Sequence, residues 1–474
     1  MYDAVIVGSG PNGLAAAIFL ARAGARVLVI EGEATVGGGM RTAPLTLPGF
    51  RHDVCSAVHP LGMGSPFLRT LPLADYGLEW LAPPIPLAHP LDDGSAVALY
   101  RDAAMTGAGI GGPDGERWRE RMERLAHAWP RLTPALLGPR PFSPHLLNWA
   151  RFGLSALQSA SFFARRTFAG ERARALFAGL AGHAIRPLER PATASVGLVL
   201  GMLAHAVGWP LPRGGSQALA DAMVRYLRAL GGEVVCGWMV EMLAELPPAR
   251  HYLLDITPRQ FLRMAGDSLP GAYRTRLAGY RYGPGVFKLD YALAGPVPWT
   301  APECRAAGTV HVGGTLAEIA AGEREVWYGR HALRPYVLAV QPGVVDESRA
   351  PAGKQTLWAY CHVPHNSDVD MSHAVEEQIE RFAPGFRELI LARSARTAQA
   401  MHAYNPNYIG GDINGGVQDL GQMWTRPVPR LSPYSTPLGN VWLCSSATPP
   451  GGGVHGMCGY HAARAVMGRL KIED

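Results

Sequence analysis

The sequence predicts an α/β protein of two interleaved domains, one built on a parallel sheet and the other on an antiparallel sheet with helices. Three features carry this prediction: a strand, turn, helix, strand unit at the start, alternating apolar stretches beyond residue 280, and a late strand running into a glycine-rich turn. With 474 residues the chain is too long for one simple core, so more than one domain is expected.

The opening unit comes first. Residues 4–7, Ala-Val-Ile-Val, read as a short buried strand. A tight turn follows, Gly8-Ser9-Gly10-Pro11-Asn12-Gly13, and then a helix over residues 14–24 with Leu14, Ala17, Ile18 and Ala21 on one face. A second apolar run, residues 27–30, ends on Glu31. An acid about twenty residues beyond a glycine turn is the spacing at which a helix N-terminus holds a pyrophosphate and a carboxylate accepts ribose hydroxyls. Gly8, Gly10, Pro11, Asn12, Gly13 and Glu31 are therefore candidate dinucleotide contacts, and the carboxylate argues against a 2′-phosphate.

Further along, the segment from Gly37 through Gly38, Gly39, Met40 and Arg41 to Thr42 resembles the second glycine cluster of the flavoprotein family that includes phytoene desaturases and amine oxidases. Glycines there let the backbone pass close to a cofactor, and Arg41 can meet a phosphate with its planar fork. The turn after residue 440, from Ser445 and Ser446 through Gly453, Val454, His455, Gly456 and Met457, is similar to the family's closing flavin motif. Many flavoproteins carry an acid in that turn, and here Ser445 and Ser446 take its place. On these motifs the chain resembles the phytoene desaturase-related FAD-dependent oxidoreductases over nearly its whole length.

The resemblance implies an FAD-binding Rossmann-like domain of the glutathione reductase/amine oxidase type. It also implies that Val240 offers main-chain groups to the adenine, and that the flavin works on a lipophilic, polyene-like or isoprenoid-like small molecule by desaturation, saturation or isomerisation. The expected division is 1–72, 210–280 and 426–474 for the FAD domain, 73–209 for the helical part of the substrate domain and 281–425 for its sheet part. A redox-neutral isomerase or cyclase and a non-catalytic flavin-binding assembly protein are the alternatives. No second dinucleotide fingerprint is present, so a diffusible acceptor, quinone or oxygen, is expected for the electrons.

Between these motifs, proline, aromatics and arginine dominate residues 73–209. Residues 145–168 read either as helices packing on their neighbours or as a basic amphipathic surface resting on a membrane. Residues 194–207 form the longest apolar stretch, too short to span a bilayer, and read as a buried helix. Residues 285–293 alternate as a strand with one polar face, and 337–341 and 356–363 repeat the pattern. Lys288, one of three lysines, is expected on a solvated strand face, with electrostatic contact to substrate or flavin as the alternative. The glycine- and asparagine-rich stretch 405–416 reads as a long loop on the substrate side.

Among proton-handling candidates His59 and His455 rank first, because their motifs place them near the flavin; Tyr404 and Asp412 follow, and His183 and His205 read as core histidines. There is no G-x-S-x-G elbow, and no clustered Cys/His or H-E-x-x-H that would bind a metal. Net charge is +6, but the positives are scattered arginines with no basic run, which excludes nucleic acid as the expected partner and leaves open a weak attraction to an anionic membrane surface. Six cysteines without a C-x-x-C pair, and a first strand that leaves no room for a signal peptide, point to a reduced cytoplasmic setting. Oligomeric state is not encoded in any motif found.

Overall fold

The computed structural model describes residues 1–139 and 145–469. Its first strand, Tyr2–Val7, pairs in parallel with Val27–Ile30 on one side and Ala249–Leu254 on the other. Glu233–Val235 extends the sheet beyond Val27–Ile30, and Val441–Leu443 extends it beyond Ala249–Leu254, all parallel. This five-stranded sheet therefore draws its strands from three distant stretches of chain. Val5, Ile6, Val29 and Ile30 are fully buried, each burial contributing about 1.5–3 kcal/mol.

The first helix spans Pro11–Arg22, starting three residues before the apolar periodicity suggested. Proline at the first helical position has its φ already set and lacks only an N–H that would have no partner there. Gly8 takes φ +98°, a left-handed conformation that glycine adopts without cost, and this turns the chain from strand to helix.

The second sheet has seven strands in the order Ile390–Arg396, Gly285–Leu293, Gln355–Val363, Val337–Val340, Ala307–Val312, Ile85–Pro90 and Ala96–Leu99. It differs from expectation in two ways. Two of its strands come from the 73–209 stretch expected to be helical, and Ala307–Val312 pairs in parallel with Ile85–Pro90 within an otherwise antiparallel sheet.

Gly285–Leu293 also lacks the solvated face read from its alternation: it lies between two strands and is buried along its whole length. Lys288 is consequently only 1% exposed. Its Nζ donates to Asp290 Oδ1 at 2.6 Å and sits 4.8 Å from the centre of the Trp358 ring. Burial lowers the Lys288 pKa and raises that of Asp290, while their mutual attraction opposes both shifts.

Helices fill the middle of the chain. Thr193–Ala206 is the expected buried helix, stopped by Gly208 at φ +81°. Residues 145–168 form Leu146–Ala156 and Ala160–Thr167, the second capped by Ser159, whose Oγ accepts from Phe162 N at 3.2 Å. Phe152 and Phe163 point inward, while Leu146, Leu147, Leu154, Leu157 and Phe162 remain more than half exposed. No helix among the described residues is long and apolar enough to cross a membrane.

Candidate active site

A cavity of about 800 Å³ runs from the glycine turn of the parallel sheet to the face of the seven-stranded sheet. That lies within the roughly 300–1,000 Å³ of small-molecule and cofactor sites. Gly8, Gly10, Pro11, Asn12, Glu31, Gly38, Gly39, Arg41, Val240, Ser446, Gly453 and Val454 line it. At the turn, packing forbids side chains: a Cβ on Gly13 would lie 2.0 Å from Gly8 O, and one on Gly10 would lie 2.8 Å from Asp255 Oδ2. Asn12 Oδ1 is buried on this wall with no partner, an acceptor left for a ligand.

Glu31 is held on all sides. Oε2 accepts from Ser9 N at 2.9 Å and from Ser9 Oγ; Oε1 accepts from Glu33 N at 3.0 Å and from Arg41 Nη2 at 3.0 Å. The Arg41 fork expected to meet a phosphate is partly committed, with Nη2 on Glu31 and Nε donating to Thr35 O at 3.0 Å, while its side chain lines the cavity.

Six expected cofactor residues are absent from the cavity wall. Gly13 and Met40 are buried behind it, Met40 completely. Ser445 Oγ donates to Ile256 O at 2.7 Å, tying two strand ends together. His455 folds into its own turn, Nδ1 accepting from Met457 N at 3.0 Å, and does not reach the cavity wall. Gly456 opens the helix Met457–Met467, and a Cβ there would lie 2.8 Å from Ala15 Cβ. A Cβ on Gly459 of the same helix would meet Asn12 O at 1.7 Å. These late residues press the last helix onto the first, and so shape the cradle from behind.

At the other end the wall turns apolar and aromatic, with Leu200, Trp209, Leu338, Val340, Trp358 and Tyr360. Two imidazoles stand among them. His59 Nε2 lies 2.8 Å from Ser216 Oγ, and that hydroxyl donates to Ser56 O at 2.7 Å. The hydroxyl proton being used, His59 Nε2 must donate, which leaves Nδ1 as a buried lone pair without a partner. Burial holds the His59 pKa down at about 4.

His183, expected in the core, instead lines the cavity, with Nε2 3.1 Å from Nε2 of buried His311. Burial keeps it neutral too, at about 3. Thr309 Oγ1 and Trp358 Nε1, both on the wall, also lack partners.

The remaining candidates divide. Tyr404 lines the cavity, its ring under Arg396 at 4.6 Å and Arg41 at 5.7 Å. Asp412 does not: its carboxylate accepts from Gly283 N, Asn414 N and Gly416 N and organises the loop. His205 accepts from Trp118 Nε1 at 3.2 Å, away from the cavity. The 405–416 loop contributes Asn407, whose side chain donates to Asp255 O and accepts from Thr257 N while lining the wall. Sequence reasoning missed Trp238, Met239 and Asp255 on the cradle and Trp209, Trp358 and Tyr360 in the chamber.

The fold is of the FAD-dependent amine-oxidase kind, and the glycine cradle, with Glu31 and the unpartnered Asn12 Oδ1 on its wall, fits FAD. Residues 6–70 match the NAD(P)-binding Rossmann-like domain family. The chain is homologous to pyridine nucleotide-disulfide oxidoreductase domain-containing protein 2 of Rattus norvegicus, 26% identical over an alignment covering 99% of this chain and 94% of that protein. It is also similar to one of the limonene dehydrogenase polypeptides of Castellaniella defragrans, 33% identical over 25% of this chain and 22% of that protein. A redesigned putrescine oxidase has the same fold, at 19% identity and a TM-score of 0.63 with 99% of each chain covered.

Proposed function

We propose that this protein is an FAD-dependent oxidoreductase acting on carbon-carbon bonds of a lipophilic, isoprenoid-like small molecule, by desaturation or saturation. The observation carrying this reading is the apolar, aromatic chamber continuous with the dinucleotide cradle, whose two imidazoles, His59 and His183, are both held neutral by burial. Bound FAD supplies hydride acceptance or donation at the flavin N5. The chain's own part is to bind, orient and keep water away. Trp209, Trp358 and Tyr360 offer flat apolar surface to a hydrocarbon, and His59 Nδ1 and the His183 ring are the groups able to take or give a proton.

A substrate amine would bring a cation, and no carboxylate faces the chamber end among its described lining residues; the wall favours an uncharged ligand. The similarity to a limonene dehydrogenase supports the same substrate class. A diffusible quinone or oxygen serves as electron acceptor in this reading. Peripheral contact with an anionic membrane belongs to it as well: Leu154, Leu157 and Phe162 are exposed beside exposed Arg151, Arg165 and Arg166.

Anaerobic mixing of the purified flavoprotein with monoterpene and longer isoprenoid hydrocarbons tests the reading. Loss of the flavin's visible absorbance supports dehydrogenation, and reoxidation of reduced enzyme by substrate supports saturation. Product formed without any flavin reduction and without acceptor consumption would move the protein to the redox-neutral class.

A further inference from the structure

The strand Ala249–Leu254 ends in a carboxyl group that the proposed function leaves unused. Asp255 is 8% exposed and lines the cavity at the glycine turn. Its Oδ2 accepts from Gly13 N at 2.9 Å, in the first turn of the helix Pro11–Arg22, where a dinucleotide pyrophosphate is held. The same oxygen lies where a Cβ on Gly10 would reach it at 2.8 Å, and Asp255 Cβ lies 3.1 Å from the corresponding point on Gly8. The carboxyl is therefore built into the floor of the cradle.

Charge makes this placement unfavourable for an ionised Asp255 once a pyrophosphate arrives. Glu31 already contributes one carboxylate to the wall, and the buried cation nearby, Arg41, is paired with it at 3.0 Å. Among the described residues no Lys, Arg or His forms an ion pair with Asp255, and Arg263 on the same wall is exposed. A buried anion against an incoming anion, with no cation of its own, relieves the repulsion by binding a proton.

We infer that Asp255 meets the pyrophosphate of FAD as a neutral carboxylic acid, taking one proton from solvent as the cofactor docks and donating that O–H to a phosphate oxygen. Only an O–H bond forms; no electron moves. The inference rests on FAD occupying the cradle. Burial and the neighbouring Glu31 raise the Asp255 carboxyl to about 7 even before the phosphates arrive, the Gly13 N–H opposing them. The other titratable groups coupled to it are Cys444 and Cys458, whose thiols burial pushes up, Cys458 to about 12. His59 and His183 stay neutral at about 4 and about 3. Near neutral pH, Asp255 is the wall group poised to change state.

Calorimetric titration of FAD into the full chain, stripped of cofactor with chaotropic bromide, reads the proton directly when run in two buffers of different ionisation enthalpy. Wild-type protein should take up close to one proton at about pH 8 and none at about pH 5.5, with affinity falling up to about tenfold per pH unit above 7. Asp255→Asn keeps an acceptor for Gly13 and a donor for phosphate. It should abolish the uptake, flatten the pH dependence and bind FAD about tenfold more tightly than wild type at about pH 8.

Tight FAD binding by wild type at about pH 8 with no proton taken up overturns the inference whether or not the variant folds, and leaves the FAD assignment standing. Failure to bind FAD at any pH overturns both.

Discussion

The Nε2 atoms of His183 and His311 face each other at 3.1 Å, so a single hydrogen lies between them and the two rings must be of opposite type at that atom. His311 is fully buried and its Nδ1 has no partner. His183 alone of the two reaches the cavity, with His311 acting through it.

Replacing His183 by Gln should slow flavin reduction by substrate about 10²–10⁴-fold, the usual worth of a positioned acid or base. Flavin content and the cofactor's visible spectrum should remain those of wild type. If His59 is instead the proton-handling group, the slow variant will be His59→Gln, and His183→Gln will react at the parental rate. Rapid-mixing traces of the two variants decide between them.

Arg41→Met leaves the Glu31 carboxylate buried without its cation. Breaking a buried pair from one side costs about 3–5 kcal/mol, read as a lower urea midpoint and faster release of FAD. Arg41→Lys should recover little of this, because a point charge cannot bond Thr35 O and Glu31 Oε1 together as the planar fork does.

Gly13→Ala should give colourless protein, since its methyl would lie 2.0 Å from Gly8 O. Gly109→Ala is the contrasting case. That glycine sits within the helix Ala103–Ile110 with nothing within 4 Å of its absent Cβ, and the change should raise the melting temperature through about 0.5–1 kcal/mol of backbone entropy. Flavin per chain and calorimetric melting measure both.

Stability should begin to fall near pH 6.5 on acidification, well before carboxylates of ordinary pKa titrate. Burial holds His52 at about 3 and His59, His89, His455 and His461 at about 4. Unfolded, each ionises near 6.5. Between those limits the unfolded chain binds more protons, so the stability these groups contribute is complete above pH 6.5 and is lost as pH falls toward 4. Each histidine acts in the same direction, so their losses accumulate across that interval. Urea unfolding at stepped pH should show the midpoint dropping through this range.

Phe162→Glu together with Leu154→Glu should abolish co-sedimentation with anionic vesicles while leaving melting unchanged, since both side chains are more than half exposed. Parental protein that ignores anionic vesicles would remove membrane contact from the proposed function.

Much of the cradle was legible because local rules govern it. Residues 4–7 are an apolar run closed by Gly8, and Glu31 directly follows a second such run, residues 27–30. Asp255 offered the same signal, an acid closing an apolar strand just before a Thr-Pro helix start, but it lies outside the spacing of a glycine fingerprint. Lys288 and Asp290 could not be placed from sequence. A lysine and an aspartate two apart on a strand look alike whether solvated or buried together, and only the strands on either side settle which. His183 was misplaced for a related reason: a helix end shows its apolar company but not the chamber opening beside it. His455 sat in the right motif and faced the wrong way, because ring orientation depends on the Met457 amide.

The parallel sheet acquires its fifth strand, Val441–Leu443, and the cradle its Gly453 and Val454, from a stretch far in sequence from the opening strand and turn they complete. During synthesis, then, the prosthetic group cannot be fully gripped until residues 441–454 have been made. A ribosome stalled before residue 441 would carry a long nascent chain with an unclosed pocket, dependent on chaperones and open to proteolysis.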